Sequence, residues 1–221
     1  MYIPAYHRET SLSDLHGLIE TYPLGTWICN TQTGLDAHHL PFVLDKTQGE
    51  FGVLRAHVSR ANEVWRHLLK DQESLVVFTG PQSYITPNWY PSKKVSERVV
   101  PTWNYTAVHV RGQAIVRDDR EWVLTMLAEL TEIHELKYAR CMSSEPWTLN
   151  HAPQEFIERL SKAVVGIEIP IRAIEGRWKL SQDEAHEDKM GAVKGLRDLE
   201  TQQACILADL VELKISVESN A

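Results

Sequence analysis

The chain is short of cysteine, of uninterrupted apolar sequence and of excess positive charge, and each shortage closes off a class of protein. Its three cysteines, Cys29, Cys141 and Cys205, are odd in number, far apart and without CxxC spacing. Neither a disulfide framework nor a cysteine-based zinc site is therefore expected, and a reducing cytoplasm is the expected home. No apolar run reaches the roughly 20 residues that span a bilayer, so no membrane partner is expected. The opening MYIPAYHRETSLSDL has no apolar stretch behind a basic one and does not read as a secretory signal. A formal net charge of −7 leaves no global footprint for nucleic acid, so any DNA contact needs a local exception. The GxGxxG, GxxxxGK[ST], HExxH and GxSxG signatures are all missing, and motifs assign no catalytic residue. There is no repeat period and no dividing linker. Residues 1–221 are read as one domain, with 181–221 as a helical C-terminal extension.

What is present is ordinary in bulk and distinctive in places. Hydrophobic residues at 43% and charged residues at 24% suit a folded globular chain and exclude disorder. Leu12, Leu15, Leu18 and Ile19 mark one face of a helix that Ser11 or Ser13 can cap. GTWICNTQ and LDAHHLPFVLD read as strands joined at Thr33-Gly34, with Pro41 at an edge or bulge. FGVLRAHV alternates, with Leu54, Ala56 and Val58 on the core face. A helix is expected over RANEVWRHLLK, then a short buried strand SLVVFTG ending at Gly80-Pro81. TWNYTAVHVRGQAIV is a long strand with a bulge or bend at Gly112. Residues 119–138 form a strong helix, PQEFIERL another, and VVGIEIPIRAIEGRWKL a last strand broken at Gly166 and Pro170. Strands in this number, with helices that cover rather than cross over, predict an α+β fold built on an antiparallel barrel.

The segment Tyr84–Tyr105, YITPNWYPSKKVSERVVPTWNY, stands apart from this background. Pro87, Pro91 and Pro101 stiffen it. Tyr84, Trp89, Tyr90, Trp103 and Tyr105 present flat faces beside Ser92, Lys93, Lys94 and Arg98. Such a loop can hold a planar anion. The segments AHVSRAN, WYPSKK and TWNY together offer what a flavin mononucleotide requires: cations for a dianionic phosphate, aromatic walls for the ring, and donors near its polar edge. Arg60, Ser92 and Lys93 are the phosphate candidates, His57 lies beside Arg60, and Trp89, Tyr90, Trp103 and Tyr105 are the ring candidates. Thr102 and Asn104 are candidates for the polar edge. Haem held through His57 or His109 is an alternative, as is an FMN-dependent oxidoreductase. Adjacent His38 and His39 point to opposite faces of a strand, so no metal site is assigned.

Six blocks carry a family resemblance: GLDAHHLPFVLD, AHVSRAN, FTGPQSYITPNWYPSKK, VVPTWNYTAVHVRG, VVGIEIPI and EGRWKLSQ. In this order they closely resemble PaiB-type proteins, described as FMN-binding negative transcriptional regulators, over nearly the whole chain. The resemblance implies a split β-barrel of the flavin-binding kind with peripheral helices, FMN as cofactor, and a homodimer with its sites at the subunit interface. Within that frame Lys179 and Gln182 of the WKLSQ block are expected to close the site from the partner subunit. A regulatory role is implied too. However, LSQDEAHEDKMGAVKGLRDLE is acidic in its first turns and makes a poor DNA-reading helix.

Overall fold

A computed structural model describes residues 1–69 and 71–218. Its strands are β1 (Arg8–Glu9), β2 (Leu24–Thr31), β3 (Gly34–Pro41), β4 (Val43–Asp45), β5 (Val53–Ser59), β6 (Glu73–Ile85), β7 (Thr102–Gln113), β8 (Ile115–Arg117), β9 (Val164–Pro170) and β10 (Ala173–Lys179). The helices are α1 (Leu12–Thr21), α2 (Val64–His67), α3 (Lys93–Ser96), α4 (Arg120–Met142), α5 (Gln154–Ser161), α6 (His186–Asp198) and α7 (Gln202–Glu218). Two compact units result. The first comprises Met1–Thr21, Thr79–His109 and the chain from Glu175 onward, and the second comprises Tyr22–Phe78 and Val110–Ile174. Strands β6, β7 and β10 contribute residues to both.

In the second unit, β2 and β3 form the expected antiparallel hairpin, with Thr31 opposite Gly34 across the turn. Gly34 has a φ of +120°, a conformation that glycine adopts without a Cβ clash. Strand β2 also pairs with β6, and a separate sheet runs in the order β4-β5-β9-β8. Alternation buries Leu54, Ala56 and Val58 of β5, while Arg55 and His57 stay half-buried on the other side. Trp27 and Phe78 are fully buried, and Phe42 meets Phe78 edge to face at 5.7 Å.

In the first unit, strands run in the order β1-β10-β7-β6. Arg8 and Glu9 of β1 face Arg177 and Gly176 of β10. Helix α1 buries Leu15, Leu18 and Ile19, and the Ser11 hydroxyl accepts from the Asp14 amide at 3.3 Å, as a cap should. Helices α6 and α7 pack on each other, burying Ala192, Val193 and Leu196 of one and Ala204, Leu207, Ala208 and Val211 of the other.

The structure departs from the sequence expectations where tertiary contacts override local signals. The helix expected over 60–70 shrinks to Val64–His67. Leu68 leaves it to bridge Thr31, and the Leu69 amide donates to the Asn30 carbonyl at 3.0 Å. Lys70 lies outside the described residues, as do residues 219–221 of the expected C-terminal extension. Strand β6 does not stop at Gly80-Pro81 but continues to Ile85. A Cβ on Gly80 would stand 2.2 Å from the Thr106 hydroxyl, so glycine there allows the close approach of β7. Gly166 does not break the last strand either. It lies inside β9 opposite His57, where a Cβ would run into the Trp122 ring at 2.2 Å.

Gly112 likewise serves close approach, since a Cβ would fall 2.2 Å from the Pro170 carbonyl oxygen and 2.8 Å from an Ile169 methyl. Backbone cannot yield as a side chain can. Gly112→Ala is expected to cost about 2 kcal/mol or more. Gly17→Ala, in α1 with nothing within 4 Å, should stabilise by about 0.5–1 kcal/mol through helix propensity. Urea midpoints moving in opposite directions with unchanged slopes are the expected result.

Candidate functional site

The prominent segment Tyr84–Tyr105 lies in the first unit and is tied down at its middle. Pro87–Trp89 form a short turn in which the Thr86 hydroxyl accepts from the Asn88 amide. Trp89 then lies against α6, where glycine makes room: a Cβ on Gly195 would be 2.1 Å from the indole, and one on Gly191 2.1 Å from the Trp89 carbonyl. Ser92 gives both its donors to one carboxylate, amide to Asp188 Oδ1 at 3.1 Å and hydroxyl to Asp188 Oδ2 at 2.6 Å. Asp188 sits in the first turn of α6, where an acidic side chain complements the helix dipole, and it is buried. Lys93 donates to Asn88 Oδ1 at 2.6 Å.

The TWNY block divides between two faces of β7, as strand alternation demands. Trp103 and Tyr105 share one face. The Trp103 indole is 53% exposed and meets Tyr84 edge to face at 6.1 Å, while the Arg177 guanidinium lies 5.4 Å from the Tyr105 ring centre. Thr102 and Asn104 share the other face. Asn104 is fully buried: its amide donates to the Ser181 hydroxyl at 2.8 Å, and its Oδ1 has no hydrogen-bond partner among the described residues. Such an acceptor costs about 1–3 kcal/mol unless a water or a ligand donor meets it. Lys179 joins the faces at the strand rim, donating to the Thr102 hydroxyl and, at 2.9 Å, to the Trp103 carbonyl.

Several titratable groups around this rim are shifted from their ordinary values. Burial lowers the Lys179 ammonium from its ordinary value, partly offset by Asp183, and burial likewise lowers His7. Glu184 is raised, first by burial and then by Asp183 and Asp188. Burial, with Glu184 next in weight, pushes the Tyr90 phenol up to about 12. Gln182 is spent locally, accepting from the Leu180 amide at 2.7 Å and donating to the Trp178 carbonyl at 2.6 Å.

The first unit thus brings together Thr102, Trp103 and Lys179 directly, and holds Trp89, Tyr90, Ser92, Lys93, Asn104, Tyr105 and Gln182 nearby in sequence or through α6. His57 and Arg60 belong to the second unit. Arg60 is fully engaged there, pairing with Asp118 through both terminal nitrogens and donating to the Lys162 and Val164 carbonyls at 2.8 and 3.2 Å. Burial lowers His57, which favours its neutral form. Asp188 and Ser181, which fix Ser92 and Asn104, escaped the sequence reading because a carboxylate in an acidic helical run and a serine after a strand look like solvated surface.

Residues 1–173 match a family described as "Putative FMN-binding domain", and the chain belongs to that family. It is 30% identical over 217 residues, covering 97% of this chain and 98% of the relative, to the "Protease synthase and sporulation protein PAI 2" of Bacillus subtilis. An uncharacterized protein of Emericella nidulans is 32% identical over 241 residues, 96% of each chain. Among solved structures, the flavocytochrome Anf3 from Azotobacter vinelandii superposes with a TM-score of 0.57 at 11% identity, over 86% of this chain and 78% of its own. The fold class is the expected one, α+β with antiparallel strands of the split-barrel kind and helices at the C-terminal end. FMN, the cofactor expected from the sequence, is the ligand in the family's description. No helix among the described residues is long and apolar enough to cross a membrane.

The buried Tyr90 phenol sets an alkaline limit. With its folded pKa above the unfolded value, its contribution is present below about pH 10 and is lost as pH rises from 10 to 12, because only the unfolded chain ionises freely there. Urea denaturation at pH 9, 10, 11 and 12 should show the parent losing stability across this window faster than Tyr90→Phe.

Proposed function

We propose that this protein binds FMN in its first unit and works as a PaiB-type regulator that couples flavin redox state or occupancy to gene expression, as a cytoplasmic homodimer. The observation that carries the reading is a platform and a cation held as one piece. The Trp103 indole is exposed and braced by Tyr84, and the backbone carbonyl of the same residue accepts from the Lys179 ammonium. A flat aromatic face beside a poised cation suits a planar anion. Family membership and the likeness to a Bacillus protein named for protease synthesis and sporulation support flavin and regulation in that order.

The donor set fits the cofactor in kind. Trp103 would lie against the apolar ring, Lys179 would supply positive charge, and Thr102 a hydroxyl. Lys94 and Arg98, both exposed on the Tyr84–Tyr105 segment, would add charge toward a phosphate. Bound FMN would supply one- or two-electron redox chemistry; the chain's own residues orient the ring and tune its charge. Ser92 and Gln182 act in support, since each is already committed to a protein partner, whereas Asn104 commits only its amide, to Ser181. The three free cysteines are compatible with a reducing compartment.

Titrating the purified protein with FMN tests the proposal. Saturable quenching of flavin fluorescence is expected. Removing one aromatic platform, by Trp103→Ala, should weaken binding about two- to tenfold. Lys179→Ala should weaken FMN more than it weakens riboflavin, which lacks the phosphate, if the ammonium serves phosphate, and both equally if it serves the ring. Absence of any uptake in the titration overturns the reading. Rapid reduction of the bound flavin by NADH would move the assignment from regulator to oxidoreductase.

A further inference from the structure

The second unit contains a groove of about 800 Å³ walled by α4, α5 and the turn between them. Leu124, Ala128 and Leu136 recur at four- or eight-residue spacing along one face of α4 and supply one wall. Trp147 from the turn and Ile157 from α5 supply the other. The large side chains are not hidden by the fold: Leu136 is 40% and Trp147 42% exposed. The turn is built rather than loose. Its Trp147 amide donates to Glu135 Oε2 at 3.1 Å and its Thr148 amide to the His151 ring at 3.1 Å. Helix α4 ends on Ser143 at a φ of +52°, a left-handed cap that starts the turn.

The groove carries one charge. Glu132, on the same face of α4, is the single charged residue of the lining, and it has no ion-pair partner among the described residues. Neighbouring carboxylates differ in this respect, with Glu129 paired to Arg55 and Glu158 to Arg120. An unpaired carboxylate and an indole in one apolar groove make a cation-selective combination, because both attract positive charge. The volume falls in the range of about 300–1,000 Å³ typical of small-molecule sites.

We propose that this groove is a ligand site for an amphipathic organic cation, an apolar body bearing an ammonium group, with Glu132 and Trp147 receiving the charge. The site is independent of the flavin reading. The probe is decyltrimethylammonium below its micellar concentration, titrated calorimetrically into the purified full chain, with decyl sulfate as the partner of similar apolar length and opposite charge. Saturable binding of the ammonium at one site, with the sulfate at least tenfold weaker, is expected. Glu132→Gln and Trp147→Ala should each weaken the ammonium about two- to fivefold, the size of an exposed charge or cation–π contact. Equal affinity for the two surfactants, or ammonium binding indifferent to both substitutions, overturns the proposal. A dimer that Leu136→Lys dissociates also overturns it, since the groove would then be covered by a second copy of the chain.

Discussion

The Asp188 carboxylate, accepting both the amide and the hydroxyl of Ser92, is the constraint on which the first unit's site depends. A buried carboxylate is tolerable only where donors replace water, and hydrogen bonds to charged groups are worth about 1.5–3 kcal/mol each. The bond fixes more than Ser92. With Trp89 seated on Gly191 and Gly195, it fastens the proline-stiffened segment to α6, and α6 is fastened in turn by its apolar face on α7. Beyond Ser92 the chain runs through exposed residues, Val95 and Val100 among them, before β7 begins at Thr102. Trp103 stands exposed on β7 itself, with Tyr84 of β6 edge to face against it.

This arrangement sorts cations that the sequence presents as equals. Arg60, Lys93 and Lys179 each sit in a block suited to an anion, but the number of internal acceptors each one already serves is invisible in one dimension. Arg60 meets a carboxylate and two carbonyls, so binding a phosphate would first require breaking a bidentate pair. Lys93 has one neutral partner, Asn88. Lys179 has two neutral hydrogen-bond partners, and the carboxylates that act on its charge, Asp183 and Glu184, are not bonded to it, so an incoming anion would break no ion pair to reach it.

Local period was legible in the sequence because the core imposes it directly: Leu54, Ala56 and Val58 are buried where alternation put them, and Leu15, Leu18 and Ile19 where the helical stripe put them. The extents of elements were less legible. Gly80 and Gly166 look like breakers in one dimension, yet both lie within strands because a neighbour, Thr106 or Trp122, occupies the space of the missing Cβ. The helix over 60–70 was cut short by a bridge to Thr31, a residue more than thirty positions away. The site behaved in the same way: residue types in the Tyr84–Tyr105 segment and, through alternation, their faces on β7 were readable, but the partners Ser181 and Asp188 are brought in from far along the chain.

A helix that reads DNA presents neutral or basic residues at its N-terminal end, where backbone amides also favour phosphate. Helix α6 does the reverse. Its first turn holds Glu187 and Asp188, the latter already committed to Ser92, and its last-turn Arg197 is paired with Asp209 and Glu212 of α7. Those two carboxylates leave the C-terminal end of α6 with little net positive charge for a phosphate backbone to neutralise. What α6 does contact is the segment leading into Trp103. Any change in the position of that segment would therefore be felt first by α6 and its partner α7, through packing.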